Sequence, residues 1–512
     1  MSQSGAPVST TAKVANNSMW YGLETALSIL SAIASSVLVA RAFGPERLAP
    51  FNYILWLTNV TGAIGMVGIS SATRKFMADH FAVKDEQGAM VIFRTVMRWQ
   101  AAWMGLLALV GLAAVLQWAQ PGFRFVAALL VVSSWMRVMA FIPSAANMAA
   151  ENMAANVPGS VAGGLLQVAG TLATVAGGWG LEGIAMAQLV GYTVELIWKL
   201  WPLARRARAA RGQSLPPALR RRILTFATEG AGLILLHMVV WDRSDILMLN
   251  WLHPDPAQVS FYFLAFNLVE RILLLPQTFS QAMGASAMAE YGRDARRAVS
   301  LTVTAGIYLM LISLPLLFGA AAVSGPVWML YGPKFQPATQ VFVAMCLLAV
   351  PRAMMSPAQT LLQAAERQRN LVWSGCAAAA VKFGLGWILI PRYGALGAAL
   401  ANGTAQAVAG IAAWLFVWWL FTPSPIPFWP ALKILASGSL MALCAAAVAG
   451  ALPPWLGAPA AIAAGVLVFA ILLRFTGALG GTDRDRLLAL EKLAPARLRY
   501  PYRRFIGTMI PG

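Results

Sequence analysis

The strongest constraint on this chain is a succession of apolar stretches, each about as long as a bilayer is thick. A helix needs about 20 mostly apolar residues to cross the hydrocarbon. Runs of that kind lie near 19–40, 50–71, 98–118, 125–147, 157–177 and 181–201, then near 224–250, 259–285, 298–323, 337–363, 371–390, 394–420, 431–451 and 456–475. Continuous runs exclude a transmembrane barrel, whose short strands alternate apolar and polar residues. Composition excludes the soluble alternative. Of 512 residues, 59% are hydrophobic and 11% charged, against about 25% charged in an ordinary soluble protein. So few charges cannot coat several water-soluble cores. The chain reads as an all-α polytopic membrane protein of about 14 transmembrane helices.

The net charge is +19, from 38 Lys and Arg against 19 Asp and Glu. A basic balance points to nucleic acid only where cations gather on one soluble face. Here they lie between apolar stretches, so membrane topology explains them and no nucleic-acid partner is expected. With the N-terminus inside, the inner gaps hold 27 cations, seven of them between Arg205 and Arg222 and eight between Arg474 and Arg504. The outer gaps hold five: Arg41, Arg47, Arg124, Lys334 and Arg392. This bias places both termini in the cytoplasm. The polar N-terminus predicts no cleaved signal peptide. Cys346, Cys376 and Cys444 sit inside apolar runs, and His80, His237 and His253 are scattered. They form no metal-ligand set. No phosphate loop or nucleophile–base pair accompanies them, so neither an enzyme nor a cofactor is expected.

The basic stretch 203–222 reads as a cytoplasmic linker between two six-helix lobes, 19–202 and 223–420. A short cytoplasmic tail (1–18) precedes them, and two more transmembrane helices (421–475) and a basic cytoplasmic tail (476–512) follow. The lobes carry echoes at nearly constant offset. Arg137 followed by Ala149-Ala150-Glu151 recurs 215 residues later as Arg352 followed by Ala364-Ala365-Glu366. Trp179-Gly-Leu-Glu-Gly-Ile-Ala-Met-Ala187 recurs 214 residues later as Tyr393-Gly-Ala-Leu-Gly-Ala-Ala-Leu-Ala401. Gly44-Pro45-Glu46 is echoed by His253-Pro254-Asp255. Six spans per lobe preserve orientation, so the lobes read as parallel repeats, with the substrate path expected at their interface.

Cations within spans are costly and normally face protein or water. Arg137, Arg271, Arg352 and Lys382 are the deep ones. The first three lie on polar stripes: Ser133, Arg137, Ser144 and Asn147; Asn267, Arg271, Thr278 and Gln281; Arg352, Ser356, Gln359 and Gln363. The candidate substrate-binding set is Arg137, Arg271, Arg352, Lys382, Asn267 and Gln359, unless the stripes only bond helices together. Lys199 reads as an i,i+4 partner of Glu195. Asp242 and Asp245 flank Arg243, and Glu24, Glu229 and Glu270 are further intramembrane carboxylates. The candidate ion-coupling residues are Asp242, Asp245, Glu24 and Glu270, with an internal ion pair to Arg243 as the alternative for the aspartates.

Ala40-Arg-Ala-Phe-Gly-Pro-Glu46, Tyr331-Gly-Pro-Lys-Phe335, Ile390-Pro-Arg-Tyr-Gly-Ala-Leu-Gly-Ala-Ala-Leu400 and Asp242-Arg243-Ser244-Asp245 followed by Phe261-Tyr262 and Arg271 resemble the polysaccharide exporters of the multidrug/oligosaccharidyl-lipid/polysaccharide superfamily. These include the O-antigen flippases. The resemblance covers roughly 19–475 and rests on order and spacing rather than one specific motif. It implies two lobes around a central cavity that opens alternately to each face of the bacterial inner membrane. It also implies transfer of a polyprenyl-pyrophosphate-linked oligosaccharide between leaflets, for polysaccharide or lipopolysaccharide biosynthesis. Partners would be that lipid-linked substrate, membrane lipids, a glycan polymerase and glycosyltransferases. A cation-coupled drug or metabolite antiporter of the same superfamily is the alternative.

Overall fold

The computed structural model describes residues 10–66, 68–210, 212–240, 244–291, 294–365, 367–421 and 428–477. Among them the chain is helical throughout and has no strand. It forms two compact units, 1–244 and 245–512. The first contains α1 (Thr10–Met66), α2 (Ile69–Ala82), α3 (Glu86–Trp118), α4 (Arg124–Ala149), α5 (Val157–Gly177), α6 (Gly180–Ala209) and α7 (Pro217–Val240). The second contains α8 (Asp245–Leu252), α9 (Ala257–Tyr291), α10 (Ala295–Ala322), α11 (Ser324–Tyr331), α12 (Ala338–Leu348), α13 (Val350–Ala364), α14 (Gln368–Leu420), α15 (Phe428–Ala451) and α16 (Pro454–Thr476).

Ten stretches of the described residues are long and apolar enough to cross a membrane, and two of them exceed 50 residues. At 1.5 Å per residue the 57 residues of α1 would reach roughly 85 Å, nearly three times the hydrocarbon thickness. The helix instead folds at Gly44 (φ 72°), just before Pro45. In the 53-residue α14 the fold is at Gly394 (φ 54°). Both conformations favour glycine. Each long helix is thus two of the expected spans. Gln258 holds the second bend by accepting the Ala395 N–H at 2.9 Å. Gly180, which aligns with Gly394 across the repeat, also has positive φ (71°). The two echoes share backbone as well as sequence.

The structure adds local detail to the expected spans and gaps. The inner gap after residue 71 is not a plain connection, because α2 occupies it. This helix is amphipathic, burying Ala72, Thr73, Phe76 and Met77 while Arg74 and Lys75 stay exposed. Its buried face joins Ile92, Phe93, Ile142, Leu203 and Ile223 in one core cluster. Much of the basic segment 203–222 is also helical, forming the end of α6 and the start of α7. The span expected over 337–363 is present as one crossing-length stretch, Ala338–Ala364, built from two helices that meet at Ala349. Pro351 causes the break, since it has no N–H to continue the α12 ladder. The span expected over 224–250 is α7 and α8. Asp242 and Arg243 lie outside the described residues, as does the side chain of Glu229.

Side-chain distribution follows the lipid environment. Leu106, Leu109, Val110 and Leu116 of α3 are exposed, which suits hydrocarbon rather than water. Trp118 and Trp179 are exposed at helix ends, where indoles sit at the headgroup level. In the second unit, Trp328, Tyr331, Phe335, Phe342 and Phe261 form a chain of ring contacts at 5.1–6.3 Å. The Tyr331–Phe335 motif is therefore a packing device: Gly332 (φ 102°) turns the chain so that both rings enter this cluster.

Candidate functional site

Within the first unit, Arg137 sits midway along α4. Its guanidinium donates from Nη1 to Asn59 Oδ1 at 2.7 Å and lies 5.9 Å from the Tyr192 ring centroid. The side chain is exposed, and no carboxylate pairs with it among the described residues. The rest of its stripe is structural. Ser133 donates to the Leu129 carbonyl of its own helix at 2.7 Å. Buried Asn147 donates to Asn156 Oδ1 at 2.9 Å and to the Lys199 carbonyl at 3.3 Å.

A second cluster joins α1, α5 and α6. The Lys199 ammonium lies 2.6 Å from Glu195 Oε1 and 3.2 Å from Glu24 Oε1. The Ser160 hydroxyl is 2.6 Å from the same Glu24 oxygen. The expected i,i+4 pair is present, and Glu24 joins it from a distant segment. Close helix approach makes this possible: a Cβ on Gly163 would stand 2.7 Å from the Gly191 carbonyl oxygen and 3.1 Å from Glu195 Cβ. Two carboxylates share one ammonium here.

In the second unit the strongest pair is Lys382 on α14 with Asp245 at the start of α8. Nζ and Oδ2 are 3.0 Å apart, and neither side chain has any exposed surface. The Tyr262 hydroxyl donates to the same Oδ2 at 2.7 Å. Asn402 in turn donates to that hydroxyl at 3.2 Å, and Gln406 to Asn402 Oδ1 at 3.3 Å. Asp245 Oδ1 is buried and has no hydrogen-bond partner among the described residues. The counterpart of Arg137 behaves differently from it. Arg352, on α13, grips Glu270 of α9 with both terminal nitrogens, Nη1 on Oε1 and Nη2 on Oε2. The neighbouring Arg271 is half-buried on α9, and Asn267 donates to the Phe263 carbonyl at 2.9 Å. Gln359 is half-buried on α13.

The structure therefore sorts the expected residues. Asp245 meets Lys382, and Glu270 meets Arg352, so two expected ion-coupling carboxylates hold two expected substrate cations. Glu24 holds Lys199. Tyr262, Asn402 and Gln406 were not expected at a site, although Asn402 and Gln406 stand i,i+4 in an otherwise apolar run. Outside the spans, the carboxylate of Asp85 is held below the usual aspartate range. The Gly88 N–H donates to it at 2.8 Å and is the main cause, with the His80 ring at 2.8 Å second.

No protein-family model matches the sequence, and no curated protein matches it. Solved structures do. A lipid II flippase, MurJ, in an inward closed conformation superposes with a TM-score of 0.63 at 15% identity, covering 89% of this chain and 97% of its own. An inward-facing multidrug resistance MATE family transporter of the MOP superfamily gives 0.65 at 15%, covering 76% and 93%. A Vibrio cholerae MATE transporter, VcmN, gives 0.58 at 15%, covering 82% and 100%. The chain shares the fold of these membrane transporters over most of its length.

Proposed function

We propose that this protein is a flippase of the multidrug/oligosaccharidyl-lipid/polysaccharide superfamily. It moves a polyprenyl-pyrophosphate-linked oligosaccharide from the inner to the outer leaflet of a bacterial inner membrane, for polysaccharide or lipopolysaccharide biosynthesis. One observation carries the reading: Arg137 is exposed halfway along a membrane helix, oriented by the neutral partners Asn59 and Tyr192. An arginine kept at that depth without a carboxylate suits an anionic ligand, and its planar fork suits a pyrophosphate. The lipid tail stays in the bilayer while the headgroup passes. The likeness to a lipid II flippase supports the same class of cargo. Asn267, Arg271 and Gln359 are the further proposed substrate-binding residues, in the second unit. Arg352 and Lys382 serve it through their carboxylate partners. The glycan polymerase and glycosyltransferases that would consume and supply the substrate are the proposed partners.

The test uses reconstituted vesicles carrying a fluorescent polyprenyl-pyrophosphate oligosaccharide. Losing one charge-assisted contact costs about 1.5–3 kcal/mol, so Arg137→Ala lowers affinity roughly tenfold or more. Arg137→Lys recovers part of it. Unchanged transport by Arg137→Ala would refute the reading. A cation-coupled antiporter is the second reading. It draws on the excess of carboxylate where Glu24 and Glu195 share Lys199. Neutralising Glu24, Asp245 or Glu270 then alters the dependence of transport on an imposed ion gradient, and a cationic dye is exported in place of the lipid.

A further inference from the structure

The end of α6 and the start of α7 carry six exposed arginines: Arg205, Arg206, Arg208, Arg220, Arg221 and Arg222. Several are seated on aromatic rings. The Arg220 guanidinium lies 5.6 Å from the Trp99 ring centroid, Arg222 lies 5.7 Å from Phe76, and Arg205 lies 5.9 Å from Trp201. Lys75 of α2 stands 4.7 Å from the Phe226 ring and 5.6 Å from Phe76. Two of these rings are indoles, Trp99 and Trp201, and indoles near the ends of membrane helices sit at the level of lipid headgroups.

Arg220 and Arg221 also border a shallow open groove along α7, completed by Pro217, Leu224, Thr225 and Thr228. Its wall below the arginines is apolar. The Thr228 hydroxyl is turned to the backbone, donating to the Leu224 and Thr225 carbonyls at 3.0 Å. The groove thus combines two arginines with a largely apolar lining to which Pro217 and Leu224 contribute. A free phosphate would find charge there but no ring of neutral donors, and it would leave the apolar lining bare. A phospholipid satisfies both parts.

We propose that this groove holds an anionic phospholipid of the leaflet it borders. The phosphodiester contacts Arg220 and Arg221, and the first acyl carbons lie along Leu224, Thr225 and Thr228. The seated Arg220 and Arg222 keep the start of α7 against α2 and α3, so the bound lipid reads a fixed surface. This site is independent of the transport reading: it needs only the membrane and the charge.

The experiment reconstitutes the whole protein in vesicles of equal phosphatidylglycerol and phosphatidylcholine. Lipids that survive mild detergent extraction are then identified by native mass spectrometry. The unmodified protein retains phosphatidylglycerol over phosphatidylcholine. Each basic residue near an anionic surface is worth about fivefold. Arg221→Gln therefore reduces that preference about fivefold, and Arg220→Gln with Arg221→Gln about 25-fold. Arg221 is exposed and has no ring contact among the described residues, so Arg221→Gln keeps the thermal stability of the parent and reads lipid binding alone, whereas Arg220→Gln also gives up its seat on Trp99. A control pair, Arg296→Gln with Arg297→Gln at the start of α10, leaves the preference intact. Equal retention of the two lipids, an undiminished preference in the double variant, or an equal loss in the control pair overturns the proposal. Displacement of the lipid by millimolar inorganic phosphate overturns it too, since the groove would then be a soluble-anion site.

Discussion

Replacing Lys382 by Met tests the tertiary core of the second unit. Lys382 and Asp245 have no exposed surface, and their charged atoms are 3.0 Å apart. The methionine fills most of the same volume but removes the ammonium. Among the described residues Asp245 then keeps the Tyr262 hydroxyl on Oδ2, and its Oδ1 has no hydrogen-bond partner there. Breaking one side of a buried pair costs about 3–5 kcal/mol, whereas replacing both sides by neutral groups of similar size is often neutral or better. At about 2–4 °C per kcal/mol for a unit of this size, Lys382→Met lowers Tm by roughly 6–20 °C. Asp245→Asn alone also lowers Tm, because it removes the carboxylate 3.0 Å from the buried ammonium. The double variant Asp245→Asn/Lys382→Met returns to within a few degrees of the parent. Tryptophan fluorescence during heating of the detergent-solubilised protein reads all four. The reasoning is refuted if Lys382→Met shifts Tm by under about 2 °C, or if the two single losses simply add in the double variant.

Gly163→Ala places a methyl group 2.7 Å from the Gly191 carbonyl oxygen and costs about 1–3 kcal/mol. Gly105→Ala, at a helical site open to its surroundings, instead stabilises by about 0.5–1 kcal/mol, and thermal melts distinguish the two. Asp85 is held below the ordinary aspartate range, so its contribution is fully present above that range and disappears as pH falls through its lowered value. The stability gap between the parent and Asp85→Ala therefore closes as pH falls through that lowered value, as a pH series of melts would record. Reporter fusions after residues 210 and 484 read as cytoplasmic and those near 122 and 455 as external; an external reading at 210 contradicts the charge-derived topology.

The crossings were legible because each one states its own length and apolarity locally. The folds of α1 and α14 were legible too, since Gly44-Pro45 and Tyr393-Gly394 interrupt long apolar runs. Helix α2 was not, because fourteen residues with Arg74 and Lys75 among them are too short and too polar to announce a membrane segment. Its helicity depends on burying Phe76 and Met77 against α3 and α4. The ion pairs were hidden for a different reason. Glu270 stands next to Arg271 in sequence, yet its carboxylate goes to Arg352, 82 residues away. Adjacent helical side chains diverge by about 100°, so a partner must come from another helix. The pair of Glu195 with Lys199 was readable only because helical periodicity brings i and i+4 together.

The bend at Gly44 has a consequence for how the protein is made. The two crossings of α1 are joined by a short turn around Gly44, with Arg41 and Arg47 beside it, so little chain lies outside the lipid between them. Such a short turn favours insertion of the two helices together as one hairpin. Insertion should tolerate slow translation after the bend poorly, because the first helix would have to settle alone with its carboxylate Glu24 before Lys199 exists to meet it.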